Sequence, residues 1–451
     1  MKPASVGRAL RLGACTTVAM GMAAVGLGTA PAFAEEQQTD QLWIQNPYER
    51  TVTVAPEGGT GQYRDLPVGL YHDNSTFTVT DGRLTVDVSG LAGVAEVAWP
   101  ENCVPSGSTA VCSVPEVPIL MDGYEEQVRL KVRALPGTAS GAQGKVTYEA
   151  TAKGGPDGEL VAPHNSFDTT VTVGSGPDLV LVQPDKLVGV RPGSSLTAPF
   201  AVTNTGNEPA QGFSVRMWAT YGLEFATKYP QCAYTPTGGE GEAAPMTVVT
   251  CAFDTVIAPG VTVELPAPLK LDVADHALYE LFGYSVEPGA GATDIQADDN
   301  SSSWPIEVVN TADFAVRGDT VRGKAGSKVT ATLRFLNRGP AWVGHVGSGD
   351  PAAVVSFYVP KGTAATAVPD LCEPRTLEGG SLEERLGAPR YDCYLPLWVK
   401  QDSKTVLPFQ LMINRVVPGV TGKVVAHPDW GPSFPFDPKP RNNTAQVVVN
   451  P

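Results

Sequence analysis

The feature that most narrows what this chain can fold into is a phrase built on Cys232 and Cys251. Pro230-Gln-Cys232 leads through a Gly- and Pro-rich loop to Thr247-Val-Val-Thr-Cys251-Ala-Phe, then Ala258-Pro-Gly260 and the alternating Val261-Thr-Val-Glu-Leu265. It reads as two strands joined by a Pro-Gly turn, with the upstream cysteine placed to pair with the one in the first strand. The phrase occurs twice more. Cys103…Cys112 is followed by a turn at Asp122-Gly123 and Val128-Arg-Leu-Lys-Val132, and Cys372…Cys393 by Gln401-Asp-Ser403 and Val406-Leu-Pro-Phe-Gln-Leu411. Three copies of one phrase imply three copies of one domain.

The amino terminus sets the expected compartment. Lys2, Arg8 and Arg11 precede an apolar run from Leu12 to Ala30, and Ala32-Phe-Ala34 puts small residues where a signal peptidase reads. Residues 1–34 are therefore expected to be a cleaved signal peptide. Leu12-Gly-Ala-Cys15 imitates a lipoprotein box, but the apolar core lies after the cysteine, so lipidation is not expected. No later stretch approaches the ~18 apolar residues of a membrane span. The end, Gln446-Val-Val-Val-Asn-Pro451, has neither an apolar tail nor a sortase-type motif. The expectation is a secreted protein, at most loosely associated with a cell surface.

Cleavage removes three basic residues and no acid, taking the net charge from −15 to −18. That balance argues against nucleic acid, whose phosphates demand clustered Lys and Arg. With 48 Gly, 40 Pro and almost no helical periodicity, the chain has the profile of an all-β protein rich in turns. Six cysteines remain after cleavage, two per repeat. An even count in an exported chain favours disulfides over metal ligation, and no CxxC or His-rich pair completes a zinc site. The repeat logic selects Cys103–Cys112, Cys232–Cys251 and Cys372–Cys393.

Taken in order, the chain divides into 41–173, 178–309 and 313–450. In the first segment Phe77-Thr-Val-Thr80 and Leu84-Thr-Val-Asp-Val88 alternate with period two, and Asp81-Gly82 between them is a hairpin signal. The second opens Asp178-Leu-Val-Leu-Val182 and the third Asp313-Phe-Ala-Val316. Each continues through a Gly-Ser turn to Asn-x-Gly, with 11 residues from Gly193 to Asn204 and 11 from Gly326 to Asn337. Asn and Gly there suit a turn with positive φ. The segments close on Asn165-Ser166, Asn300-Ser301 and Asn443-Thr444, each leading into a last strand. A short helix is expected at Ser381-Leu-Glu-Glu384-Arg-Leu386, with Ser381 and Glu384 as a capping box.

The order of Asp-led strand, Gly-Ser, Asn-x-Gly, paired Cys, Pro-Gly and Asn-Asn-Thr resembles the immunoglobulin-like repeats of bacterial secreted and surface proteins. These are the domain-of-unknown-function-eleven and cell-adhesion-related (CARDB) types. The resemblance is good over 178–309, fair over 313–450 and poor over 41–173. It implies tandem immunoglobulin-like β-sandwich domains, three here, acting as an extracellular, non-catalytic spacer or adhesion module. The chain is further expected to be a monomer without a cofactor, meeting an extracellular protein or glycan.

Signals for chemistry are sparse. The five histidines, at 72, 164, 276, 345 and 427, form no HExxH, and there is no GxSxG, phosphate-binding loop or GxGxxG. A Ser/His/Asp arrangement assembles in space and has no local signature here. Asp294, Asp298, Asp299 and Asn300 cluster as hard oxygen ligands for calcium would, or as a solvated acidic turn. Arg317-Gly-Asp319 spells an integrin-type tripeptide. His427-Pro-Asp-Trp430-Gly-Pro-Ser-Phe434-Pro-Phe436 gathers aromatics and prolines in one loop. Trp430, Phe434 and Phe436 would either bind a sugar or extended peptide or plug the end of a sandwich. A carbohydrate- or protein-binding module is the alternative function, and an accessory to a secreted hydrolase the third.

Overall fold

The computed structural model describes residues 39–119, 126–162, 167–239, 243–344 and 349–451. The leader, the Asp122-Gly123 turn, Asn165-Ser166 and His345 lie outside the described residues. The protein is all-β, and its sheets pair into immunoglobulin-like sandwiches.

The strand plan is plainest at the carboxyl end. One sheet runs in the order Ala312–Arg317, Lys328–Pro340, Lys404–Ile413, Thr363–Ala367. The facing sheet runs Thr320–Val321, Thr444–Val449, Val420–His427, Val354–Tyr358, Arg390–Tyr394, Cys372–Arg375. The amino-terminal set repeats this order, from Leu42–Gln45, Arg64–His72, Val128–Ala134, Ala95–Ala98 on one face to the cysteine hairpin Cys103–Ser106/Thr109–Val117 at the far edge of the other. In each set a short strand after the first crosses to the second sheet and pairs parallel to the last strand.

The middle set differs in one respect, with the smaller sheet split in two: Leu179–Leu181, Val202–Asn204, Thr262–Val263, and Ser195–Thr197, Lys270–Val273, Leu223–Phe225. Pro199, Pro266 and Pro268 lie at the break. Proline has no N–H to give a ladder, so pairing lapses there and resumes beyond.

Period-two alternation drives the packing. Lys404–Ile413 alternates exposed or half-buried residues with buried Leu407, Phe409, Leu411 and Ile413. The buried apolar residues fall into three clusters: Leu42 to Val173, Leu179 to Val308, and Ala312 to Val449 joined by Leu278. At about 25 cal/mol per Å² of buried apolar surface, this burial is the main term holding each sandwich closed.

Several local expectations are corrected. Asp81-Gly82 is not a hairpin turn, since Val79–Gly90 is one strand with a register shift between Thr80 and Arg83. Asp81 takes φ 51° in that bulge, which satisfies the same Asp-Gly preference without reversing the chain. Ala258-Pro-Gly260 does not close a hairpin either. Met246–Phe253 lies in one sheet and Thr262–Val263 pairs with Val202–Asn204 in the other, so the turn crosses the sandwich.

The helix expected at 381–386 is absent, because Ser381 bridges to Arg375 in an extended pairing and its hydroxyl accepts from the Arg375 guanidinium. Asn204 does not occupy positive φ. It is a buried hydrogen-bond hub: its amide donates to the Glu208 and Ile257 carbonyls, both at 2.8 Å, and its oxygen accepts from Asp178 N and Gly206 N. Asn337 does the same with Ala341, Val399 and Gly339. His72 holds the corresponding register position in the first set, opposite Leu42 as Asn204 is opposite Leu179, and its Nδ1 lies 3.0 Å from the Asp40 carboxylate. That substitution explains why the first segment lacks the Asn-x-Gly phrase.

Candidate functional site

The three cysteine pairs are disulfide-bonded: Cys103–Cys112, Cys232–Cys251 and Cys372–Cys393. In each the two residues are direct partners across an antiparallel hairpin at the edge of the larger sheet. The bonds fasten the outermost strand, which has only one neighbour to hold it.

The aromatic loop divides by role. Phe434 and Phe436 are buried, their rings 5.0 and 5.1 Å from Phe314, so they form the plug over the sandwich end. Trp430 is 76% exposed. It stands in a cleft of about 280 Å³ whose walls include Tyr279, Asp350, Pro351, Pro428 and Asp429. Tyr279 comes from the middle segment, so the cleft lies where the second and third sandwiches meet.

That meeting place is aromatic throughout. His276 stacks on Trp342 at 4.1 Å with 28° between planes, Tyr221 lies 5.3 Å from Trp342, and Lys400 sits 4.9 Å from the Trp398 ring centre. These residues are scattered through the sequence and offered no pattern to find them by. Beside them Glu280 is buried, accepting from Thr220 Oγ1 at 2.5 Å, Gly222 N at 3.0 Å and Leu278 N at 3.2 Å. Burial pushes its carboxyl up to about 7, against the pull of those donors.

A Ser/His/Asp trio does assemble, at Ser356, His427 and Asp392, but not in the order catalysis needs. Ser356 Oγ donates to Asp392 Oδ1 at 2.6 Å and lies 2.9 Å from His427 Nε2, while His427 Nδ1 faces the Pro428 carbonyl at 2.8 Å. A hydroxyl has one proton to give, and here a carboxylate competes with the imidazole for it. Arg390 also donates to Ser356 Oγ, at 3.2 Å, withdrawing electron density from the would-be nucleophile. With Ser356 2% exposed, the group reads as a polar clasp between strands.

The Arg-Gly-Asp tripeptide is built into the fold. A side chain at Gly318 would meet the Gln446 carbonyl at 1.8 Å, and both Asp319 oxygens accept backbone N–H groups, from Thr320 and Thr332 at 2.8 Å. The aspartate of such a ligand must be free to meet a receptor's cation; this one is committed.

Of the acidic cluster, Asp298 is exposed, while Asp294 and Asp299 are half-buried beside the buried Asn300. Burial, with the Asp178 charge adding to it, raises the Asp299 carboxyl to about 7; Arg50 and Arg64 oppose the rise. Among the described residues no three His, Cys, Asp or Glu side chains form a metal-holding set. Arg64, from the first segment, reaches across to the buried Asp178 in an ion pair and donates to Thr205 Oγ1 at 2.5 Å and Thr205 O at 2.6 Å.

No family model and no curated protein matches the chain. Among solved structures, a putative membrane-anchored protein of Corynebacterium diphtheriae aligns over 92% of this chain and 95% of its own, at 9% identity and TM-score 0.17. The Escherichia coli adhesin FdeC aligns over 91% and 97%, at 11% identity and TM-score 0.21. The C-terminal domain of the Streptococcus agalactiae AgI/II polypeptide BspA aligns over 61% and 100%, at 7% identity and TM-score 0.17. Likeness at this level bears on neither ligand nor activity. The immunoglobulin-like class rests on the strand order given above, and no helix among the described residues is long and apolar enough to cross a membrane.

Proposed function

We propose that the chain is a secreted, non-enzymatic scaffold of three tandem immunoglobulin-like domains, 41–173, 178–309 and 313–450, acting in adhesion toward an extracellular protein or glycan. The observation that carries this reading is the thrice-repeated disulfide at the same edge of the same sheet. Such bonds persist in oxidising compartments, where small sandwiches need added bracing. The Arg64–Asp178 ion pair and the His276–Trp342 stack support a chain whose domains are braced against one another, as a spacer requires. Mass spectrometry of the protein recovered from culture medium tests it: the expected species begins at Glu35 and carries three intact disulfides. Six free thiols would refute it.

The second reading, a carbohydrate- or protein-binding module, is favoured by the exposed indole of Trp430 in a cleft flanked by Asp350 and Asp429. Trp430→Ala is expected to abolish retention on glycan or cell-wall preparations. Retention undiminished by that change removes this reading and leaves the scaffold reading standing.

A further inference from the structure

The second and third sandwiches carry the same turn before their last strand, and comparing the two isolates a mismatch. Asp294 Oδ1 accepts from Gln296 N at 2.9 Å, and Asp437 Oδ1 accepts from Lys439 N at 2.8 Å. The matching sequences are Asp294-Ile-Gln-Ala-Asp-Asp299-Asn300 and Asp437-Pro-Lys-Pro-Arg-Asn442-Asn443. Each turn closes over the aspartate that opens its domain, Asp178 or Asp313. These two correspond because the residues after them, Leu179 and Phe314, pair with Asn204 and Asn337.

In the third sandwich the opening aspartate is fully matched: Asn442 Nδ2 donates to Asp313 Oδ1 at 2.7 Å and Lys439 Nζ to Oδ2 at 3.0 Å. In the second, both donors are gone. Gln296 replaces the lysine and turns away to Thr51 N, and Asp299 replaces the asparagine. Arg64 supplies the missing cation to Asp178 Oδ2, but nothing meets Asp178 Oδ1. Asp178 is 0% exposed, and Asp299, whose carboxyl feels its charge, carries an unpartnered Oδ1 beside the unpartnered Asn300 Oδ1. Asn442 Oδ1 and Asn443 Oδ1 are unpartnered in the third sandwich as well, so what sets the second apart is the bare Asp178 Oδ1 and the carboxylate at 299 in place of an amide. Acceptors buried together without a donor are costly unless a cation joins them.

The charges ask for the same thing. Asp178, Asp294 and Asp299 face Arg50 and Arg64, so the cluster has one acid more than it has bases, an excess that is fully ionised only when a cation holds Asp299 as carboxylate. A set of two carboxylates and an amide oxygen, of which the half-buried Asp299 is the least enclosed, suits a hard divalent ion that prefers oxygen.

We infer that Asp178, Asp299 and Asn300 bind a calcium ion at the junction of the first and second domains, beside the Arg64 bridge. The ion would fasten the turn 294–300 to the start of the second domain, where Gln296 and Arg64 already tie the first domain on. The third domain cannot bind one there, because Lys439 occupies the place.

The test uses the full secreted chain, calorimetric titration with calcium chloride and thermal unfolding in chelator or excess calcium. Calcium is expected to bind one site in the ~0.1–1 mM range of extracellular modules and to raise the unfolding temperature by several degrees. Asp299→Asn copies Asn442 and so keeps a fold the chain already uses; it is expected to weaken calcium binding at least tenfold and erase the thermal shift. Asp178→Asn should do the same. No calcium response in the parent protein, a response undiminished in Asp299→Asn, or stabilisation by protons alone with no calcium effect would each overturn the assignment. None of these outcomes bears on the three disulfides or on secretion, so the scaffold reading is judged separately.

Discussion

Glu280 gives the prediction that can be worked furthest. It is 3% exposed, three donors point at it, and no cationic side chain among the described residues offsets its burial. A rise from the ordinary 4.5 to about 7 means that the folded state holds the proton more tightly than the unfolded chain does. The stabilisation is therefore fully present below about pH 4.5 and is lost as pH rises through about 7, a total of about 3 kcal/mol.

Glu280→Gln removes the titration but not without cost. Its oxygen can take the place that accepts from Thr220 and Gly222, and its amide nitrogen then faces Leu278 N, donor against donor. That mismatch should cost about 1 kcal/mol. The variant is expected to be less stable than the parent by about 1 kcal/mol at pH 3.5 and more stable by about 2 kcal/mol at pH 8.5. Urea unfolding followed by tryptophan fluorescence measures both, since Trp218 and Trp304 lie in this sandwich. Curves for parent and variant that keep the same order at both pH values would refute the reasoning.

Other outcomes follow from the same contacts. Replacing Cys232 and Cys251 by serine should cost the second sandwich about 3 kcal/mol in denaturant unfolding, from the freed loop of its denatured state. Asn204→Ala strips four hydrogen bonds from a site with no solvent access and is expected to cost at least about 3 kcal/mol, read as a shift in the same transition. Phe434→Ala should cost about 3–5 kcal/mol while Trp430→Ala changes stability by less than about 0.5 kcal/mol, a contrast that differential scanning calorimetry resolves.

What the chain could declare by itself was whatever repeats or alternates locally. Period-two runs such as Val406 to Leu411 marked the strands, and the three cysteine phrases announced the disulfides, because in each the partners face one another across a single hairpin. Local chemistry could not say whether Asp81-Gly82 turns the chain or bulges it, since the same dihedrals serve both, nor that Ser381 would be drawn into pairing by Arg375. The junctions were invisible for a different reason. Arg64 finds Asp178, and His276 finds Trp342, only after separate sheets have closed and met. So Asp299, ordinary in a string of acids, becomes a half-buried carboxyl with an unpartnered oxygen only when folding places Asp178 near it; sequence distance carries no record of which acceptors folding will bring together.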